Sequence, residues 1–311
     1  MGLSTGVFRP VILRIANHPW VRSFVTETRP GWLVASRFVA GETLAEALGA
    51  ARDLHARGLH TMLDHLGENV ETPRQALAAR EAYLSALAAT GDAEEVDAAI
   101  SVKLTQLGLD ESVDTFWANL EPIVESAAGK DRLLMIDMES HRYVDATLEV
   151  FARAYARSPH VGVAIQSYLR RSEQDIFRLP EGCRVRLVKG AYLEPADVVY
   201  TRKRDVDASY ARLFATLFAH GHPVDVATHD PALIDGARTR VDAFVDGWTR
   251  AEFQMLYGVR RDLQSRLASD GYPVRVYIPY GTEWYPYLTR RMAERPANVW
   301  FFVSNLMRTS R

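Results

Sequence analysis

The stretch YIPYGTEWYPYLTRR, residues 277–291, ends an apolar strand on a tight turn and then opens a helix. On that helix Tyr287, Arg290, Arg291 and Glu294 follow at i, i+3, i+4 and i+7, which places them on one face. A pair of planar guanidinium groups can hold one carboxylate or phosphate, and the neighbouring aromatic ring fits an anion with a small apolar body. The alternative is a solvated helix face on which Glu294 pairs with Arg290.

The same alternation of strand and helix recurs along the chain. Apolar or alternating runs predict strands at residues 59–65, 99–105, 132–137, 161–166, 184–189, 223–228, 252–256 and 274–278. Amphipathic stretches predict helices, for example at 73–89, 113–128, 144–157, 206–219, 231–245 and 285–294. This alternation favours an α/β fold of the (β/α)8 TIM-like barrel type over an open doubly wound sheet. No GxGxxG or GxxxxGK[ST] motif follows a strand, so neither a Rossmann nor a P-loop site is predicted.

Composition excludes several classes of protein. The chain has 311 residues, of which 48% are hydrophobic, so it can bury a large core. A formal net charge of -2 gives no bulk attraction to nucleic acid or to an anionic membrane. The single cysteine, Cys183, rules out an internal disulfide and a cysteine-cluster metal site, which suits a reducing cytoplasm. The longest apolar runs, such as residues 299–303, are too short to span a bilayer, so any membrane contact would be peripheral.

The first part of the chain does not follow the repeat. Its apolar positions suggest helices that pack against the barrel, and they are Val11, Ile12, Ile15, Val21 and Phe24. No linker or low-complexity tract marks a second domain. We therefore expect one catalytic domain over residues 1–311, with an N-terminal helical arm at 1–57 and the barrel at 58–311.

Polar residues lie at the carboxyl ends of the predicted strands, which is the end of the barrel where catalysis takes place in this fold. They are Lys103, Asp137, Gln166, Arg186, Lys189, Thr228 and His229. Each alone has an ordinary structural interpretation, but together they fit a ligand with several hydrogen-bonding and anionic groups. The excess of cations favours phosphate or carboxylate groups. These residues alone do not separate a flavin site from a phosphosugar site, or from an aldolase in which Lys103 or Lys189 forms a Schiff base.

Consecutive motifs resemble those of the proline dehydrogenase family. They are ISVKLTQLG, LMIDMES, VAIQSYLRR, VRLVKGAYL, VYTRK, VATHD, EFQMLYG and RVYIPYGTEWYPYLTRRMAERPANVWFF, and they run in the family's order from about residue 58 to 308. The resemblance implies a distorted (β/α)8 barrel that binds FAD. It also implies oxidation of L-proline to 1-pyrroline-5-carboxylate by hydride transfer from C5 to flavin N5, the first step of proline degradation to glutamate.

The resemblance implies roles for individual residues. Lys103, Asp137 and Arg186 match the family's catalytic positions. The residues that match the substrate site are Lys103, Tyr192, Leu256, Tyr277, Tyr287, Arg290, Arg291 and Glu294. Those that match the FAD site are Asp137, Gln166, Arg186, Val188, Lys189, Gly190, Ala191, Thr201, Arg202, Lys203, Thr228, His229 and Asp230. Glu68, in LDHLGE, matches a glutamate that pairs with Arg290 as a gate. No metal ligand is implied.

The chain departs from the family pattern at two positions of the FAD site. Leu193 stands where some family members have a tryptophan on the adenosine side, and Asp230 replaces the commoner asparagine. The implied partners are a quinone as electron acceptor and a separate pyrroline-5-carboxylate dehydrogenase. The implied location is the cytoplasm or the inner face of the cell membrane. Three alternatives are a hydroxyproline dehydrogenase, which the bulk of Tyr277 opposes, a flavin-free Schiff-base lyase and a non-catalytic binding barrel.

Overall fold

The structure is a computed structural model that describes residues 22–23, 25–26, 28–92, 96, 98–110 and 113–294. For residues 29, 30, 91, 92, 113, 293 and 294 it describes the backbone alone. The apolar positions of the N-terminal arm that the sequence singles out, from Val11 to Phe24, lie outside these residues. The division into an arm and a barrel at residue 57 stays a prediction.

Eight parallel strands close into a barrel within the described residues, and each pairs with its sequence neighbours. They are β1 His60–His65, β2 Ala98–Val102, β3 Leu134–Ile136, β4 Val161–Gln166, β5 Arg184–Val188, β6 Val224–Ala227, β7 Ala251–Leu256 and β8 Val274–Tyr280. β1 closes the ring against β8, with Met62 in register with Tyr277. The strands are buried on both faces, as in other all-parallel sheets, which explains their nearly continuous apolar runs. The predicted (β/α)8 fold is confirmed.

Helices connect and flank the strands. They are α1 Arg29–Ala35, α2 Leu44–His55, α3 Pro73–Asp92, α4 Val113–Gly129, α5 Val144–Tyr155, α6 Ser172–Asp175, α7 Lys203–Ala219, α8 Pro231–Val241, α9 Arg261–Ser269 and α10 Trp284–Glu294. Among the described helices, none has both the length and the apolar character that crossing a bilayer requires.

The predicted strand at 99–105 is too long at its carboxyl end. β2 ends at Val102, and a short 3-10 turn follows at Thr105–Leu107. The Glu139 carboxylate accepts a hydrogen bond from the Thr105 backbone N–H at 2.9 Å, so this amide is not available to a sheet ladder. Lys103 therefore lies just beyond the strand, at the mouth of the barrel.

The last helix is displaced from the position that it would hold in a regular barrel. α2 packs on the outside of β8 and β1. By contrast, α10 packs with Phe38, Val39 and Leu66 in a second apolar cluster, separate from the main core. Because Leu66 follows the end of β1, this cluster places α10 over the carboxyl ends of the strands. The charged face of α10 thus lies at the mouth of the barrel.

α2 begins with a reciprocal cap between Thr43 and Glu46. The Glu46 N–H donates to Thr43 Oγ1 at 3.3 Å, and the Thr43 N–H donates to Glu46 Oε2 at 2.9 Å. Burial of one face holds the helix on the barrel wall, and the buried residues of that face are Ala47, Leu48, Ala51 and Leu54.

Replacing Leu54 with alanine tests this packing. Leu54 is 4% exposed, so the Leu54→Ala cavity should lower the free energy of unfolding by about 2–5 kcal/mol. Asp53→Ala, on the exposed face of the same helix, should change it by less than about 0.5 kcal/mol. Chemical denaturation of both variants measures the difference, and equal midpoints would contradict the packing role of α2.

Candidate active site

Lys103 lies between two carboxylates just beyond β2. Its Nζ donates to Asp64 Oδ1, lies 3.4 Å from Asp137 Oδ2 and lies 3.3 Å from the Tyr277 hydroxyl. The hydroxyl of Tyr277 in turn donates to Asp137 Oδ2 at 2.8 Å. The barrel therefore brings together four polar side chains from β1, β8 and the loops after β2 and β3.

Arg186 neutralises the second of these carboxylates. One of its terminal nitrogens is 2.5 Å from Asp137 Oδ1, which also accepts a bond from Ser101 Oγ at 2.8 Å. Its Nε donates to Gln254 Oε1 at 2.7 Å. The Gln254 amide is itself oriented because its nitrogen donates to Glu252 at 2.7 Å. Arg186 is thus fixed on two sides, with its guanidinium plane held inside the barrel.

Charge balance continues down the barrel axis. Glu252 accepts from Arg275 Nε at 2.8 Å, and Arg184 donates to Asp225 at 2.5 Å. Apolar residues that face the axis form only a small separate cluster, whose buried members are Met62, Ala99 and Met135. Charged side chains therefore occupy much of the barrel interior. They are paired with side chains of opposite charge, because buried charges without partners are strongly unfavourable.

The paired charges determine the protonation states of the side chains at the mouth of the barrel. Burial alone would lower the pKa of Lys103, but the Asp64 carboxylate, with Tyr277 and Asp137, raises it well above its usual value. Burial alone would raise the pKa of Asp137, but the Arg186 guanidinium and the Lys103 ammonium hold it below its usual value. Burial raises the pKa of Tyr277. Near neutral pH Lys103 is therefore an ammonium, Asp137 a carboxylate and Tyr277 a neutral phenol.

The arginines of α10 are partly enclosed. Arg290 donates to Glu68, and the exposed fractions of the two side chains are 19% and 20%. Its guanidinium carbon lies 5.9 Å from the centre of the Tyr192 ring. Arg291 lies over Tyr287 at 5.3 Å. A solvated face does not fit this burial, and the side chain of Glu294 lies outside the described residues.

The loop after β5 carries the predicted turn at residues 188–191. Gly190 has φ +116°, and a Cβ at this position would lie 2.2 Å from the Tyr168 ring. The Tyr168 N–H donates to the Lys189 carbonyl at 2.8 Å, which ties this loop to the one after β4. A glutamate further along, Glu194, contacts the ring and backbone of His141 after β3. The segment that includes Tyr192 is thus anchored at both ends.

A second group of predicted residues forms an ion cluster beside the mouth. Lys189 Nζ lies 2.5 Å from Asp207 and 2.9 Å from Asp230, and Lys203 contacts the same two carboxylates. Although burial would raise the pKa of Asp230, hydrogen bonds from Lys203 and Lys189 lower it to about 2. Thr228 Oγ1 accepts from the Asp230 N–H at 3.2 Å. The structure thus brings Lys189, Lys203, Thr228 and Asp230 together.

The remaining predicted positions differ in where they lie. His229 Nε2 accepts from the Leu256 N–H at 3.0 Å, which joins a predicted cofactor residue to a predicted substrate residue. Thr201 and Arg202 line a separate surface cavity of about 370 Å³ with Arg170 and Tyr200, just before α7. They immediately precede Lys203 in the chain.

Gln166 provides an acceptor that the described residues leave unused. Its amide nitrogen donates to the Met138 and Glu139 carbonyls at 2.9 and 2.7 Å. Its Oε1 is buried and accepts no hydrogen bond within the described part of the chain. A buried acceptor of this kind is unfavourable unless a ligand donates to it.

Several residues of this site were not predicted from the sequence, among them Asp64, Ser101, Gln254 and Glu139. Strand alternation was the available signal for Asp64, since it lies two residues after the inward Met62. The same signal applies to Gln254, two residues after Glu252. Sequence alone did not indicate which cation each one contacts.

The geometry fits a small anionic molecule with an apolar ring. Cations from the loop after β2 and from α10 can bind a carboxylate, and the rings of Tyr192, Tyr277 and Tyr287 provide flat apolar surface. Arg186 adds a fixed positive charge below them, and Gln166 adds an acceptor.

Comparison with known proteins identifies relatives over nearly the whole chain. Residues 47–303 match the family model described as proline dehydrogenase. The proline dehydrogenase of Deinococcus radiodurans is 38% identical over 97% of this chain and 98% of its own length. Proline dehydrogenase 1 of Bacillus subtilis strain 168 is 36% identical over 97% of this chain and 100% of its own.

The fold also matches a solved structure. A crystal structure of proline utilization A from Bdellovibrio bacteriovorus, inactivated by N-propargylglycine, superimposes with a TM-score of 0.79 and 26% identity. The match covers 93% of this chain but only 36% of that larger protein, so the resemblance concerns a part of it.

Substitution of Gly190 tests the anchored turn. An alanine there combines positive φ with a clash against Tyr168, whereas at Gly221, with φ +84°, no atom lies within 4 Å of the added Cβ. Gly221→Ala should therefore cost only the backbone strain of about 1–2 kcal/mol. Gly190→Ala should lower the free energy of unfolding by more than this. Urea denaturation of both variants measures the two costs, and an equal loss would show that Tyr168 yields without penalty.

Proposed function

The chain belongs to the proline dehydrogenase family, and we propose that it oxidises L-proline to 1-pyrroline-5-carboxylate with FAD as cofactor. It is an oxidoreductase of that family. The observation that carries the specific proposal is the group of cations and tyrosines at the barrel mouth. A carboxylate and a small saturated ring are the two parts of proline that such a group would bind.

The substrate carboxylate is assigned to Lys103, Arg290 and Arg291. Burial raises the pKa of Tyr192, and the nearby Arg290 and Lys103 cations oppose this rise, which supports a common pocket. The ring is assigned to Tyr192, Leu256, Tyr277 and Tyr287. Tyr277 is held by hydrogen bonds to Asp137 and Lys103, so this wall is rigid. Holding the carboxylate on one side and the ring on the other fixes the direction in which C5 points.

Several residues fit a flavin. Gln166 offers a buried acceptor to the imide N–H, and Arg186 places a cation that would stabilise an anionic reduced ring. The dinucleotide is assigned to the turn at 188–191, to Thr201, Arg202 and Lys203, and to Thr228, His229 and Asp230. When bound, FAD supplies the hydride acceptor at N5. Asp137 and Arg186, which form an ion pair with each other, are assigned to the side of the site where hydride transfer takes place.

The pair of Glu68 and Arg290 is assigned as a gate. Arg290 must leave Glu68, or share its charge, to bind the substrate carboxylate. The Glu68 carboxylate raises the pKa of Arg290 even though burial alone would lower it, so the arginine stays charged in the closed pair. Glu294 is proposed to orient the arginine pair. A quinone as acceptor, a separate pyrroline-5-carboxylate dehydrogenase as partner and a location at the inner face of the membrane rest on the family resemblance.

The two other enzymatic alternatives fit the site less well. A Schiff base requires a neutral lysine, but the pKa of Lys103 is raised well above its usual value by its carboxylate neighbours. Lys189 bridges two aspartates. For hydroxyproline, the bulk of Tyr277 at the proposed ring wall leaves less room for the extra hydroxyl group.

Anaerobic spectroscopy tests the proposal. Purified protein should show flavin absorption bands that bleach on addition of L-proline, and much less on addition of hydroxyproline. A colourless protein that takes up no added FAD would refute it. Trapping by borohydride would then support a Schiff-base enzyme.

Replacing Arg291 with methionine tests the carboxylate assignment. Loss of a charge-assisted bond of about 1.5–3 kcal/mol should raise KM for L-proline about 10- to 100-fold. FAD content should not change, because Arg291 is assigned to the substrate alone. Steady-state kinetics of Arg291→Met and of Arg266→Met, which alters an exposed arginine on α9, make the comparison. Equal KM values in the two variants would overturn the assignment.

A further inference from the structure

The two carboxylates beside Lys103 have different surroundings. Asp137 is 15% exposed at its side chain and is shared by Arg186, Ser101 and Tyr277. Asp64 is 1% exposed at its side chain, and its Oδ1 contacts Lys103. Its Oδ2 is buried without a hydrogen-bond partner among the residues that the structure describes. The negative charge of Asp137 is thus neutralised by Arg186, and the positive charge of Lys103 is neutralised by Asp64.

Asp64 cannot bind the substrate directly. With 1% of its side chain exposed, it lies beneath Lys103, whose own side chain is 8% exposed. Its position in β1, in register with Ser101 of β2 and Pro279 of β8, is fixed by the closed sheet. Any effect of Asp64 on a ligand at the mouth must therefore pass through Lys103.

We propose that Asp64 is a positioning residue that holds Lys103 as an ammonium and directs it to the substrate carboxylate. The inference rests on the proposed function, because that function gives Lys103 a carboxylate to bind. A buried lysine without a counter-charge loses its proton readily, with pKa values up to about 3–5 units below normal. An uncharged Lys103 would make a much weaker bond to a carboxylate.

Other groups near Lys103 do not replace this charge. Within the described part of the chain, the titratable groups that interact electrostatically with Lys103 are Asp64 and His65 from β1, Tyr83 from α3, Asp137 and Glu139 after β3, Tyr192 after β5 and Tyr277 from β8. The tyrosines are neutral because burial raises their pKa values. Burial also raises the pKa of Glu139 and lowers that of His65.

Asp64→Asn removes the charge and keeps the shape. In the parent, kcat/KM should rise with pH as the proline amine loses its proton, with no descending limb below about pH 10 because Lys103 stays charged. In Asp64→Asn a descending limb should appear. Over the pH range of this descending limb, KM for L-proline should rise at least about tenfold, while kcat should change less than about threefold.

Asp225→Asn is the matched control. Asp225 is fully buried in the same barrel and pairs with Arg184. Its loss should destabilise the fold without creating the descending limb. If Asp64→Asn has the pH profile of the parent, or if Asp225→Asn shows the same new limb, the proposal is wrong.

A double-mutant cycle tests whether Asp64 acts through Lys103. Lys103→Met alone should raise KM, and adding Asp64→Asn to it should reduce kcat/KM by less than about threefold further. Fully additive losses would contradict the proposal.

Acetylation of Lys103 measures its proton affinity without turnover. Acetic anhydride at a series of pH values, followed by mass spectrometry of the folded protein, gives the midpoint of Lys103 reactivity. The midpoint should lie above that of ordinary lysines in the parent and fall in Asp64→Asn. A normal midpoint in the parent would refute the proposal even if the variant does not fold. A parent that shows the high midpoint but does not oxidise proline would refute the proposed function alone.

Discussion

Pairing of buried charge is the constraint on which the rest of this barrel depends. Regular barrels of this fold fill their axis with layers of apolar side chains. In this chain the axis contains ion pairs instead. They are Lys103 with Asp64, Arg186 with Asp137, Arg184 with Asp225, and Arg275 with Glu252. Removal of one member leaves a buried charge uncompensated, at a cost of about 3–5 kcal/mol. The polar network therefore restricts the orientations of these side chains, because ion pairs with hydrogen bonds are directional and apolar contacts are not.

The displaced last helix follows from the same requirement at the open end. The Glu68 carboxylate at the mouth needs a counter-charge, and Arg290 of α10 provides it. The guanidinium groups of Arg290 and Arg291 also lie over the rings of Tyr192 and Tyr287. On the barrel wall, α2 covers β1 and β8 in its place. Because α2 covers this wall, α10 lies over the mouth instead, and packing with Phe38 and Leu66 holds α10 there.

Sequence predicted the barrel because buried parallel strands leave continuous apolar runs, and β4 was predicted with its observed bounds, 161–166. It was wrong about the end of β2, because the alternation of apolar and polar residues continues past Val102 to Thr105. In the structure, the Thr105 amide donates to Glu139 and is not available to the sheet. Residues at strand ends were predictable from position alone. The partner of Lys103 was not, because Asp64 is 39 residues away and meets it only through the register of the closed sheet.

A cation that binds a carboxylate inside a protein faces conflicting demands. It needs a counter-charge to remain ionised when buried, yet that counter-charge competes with the ligand. In the proposed carboxylate site, the counter-charge and the ligand contact Lys103 at different depths. Asp64 contacts Lys103 with only 1% of its own side chain exposed, whereas 8% of the Lys103 side chain remains exposed. Asp137 meets Lys103 at 3.4 Å but is committed to Arg186 at 2.5 Å. The ammonium can therefore stay charged and still offer a direction of approach that no buried carboxylate occupies.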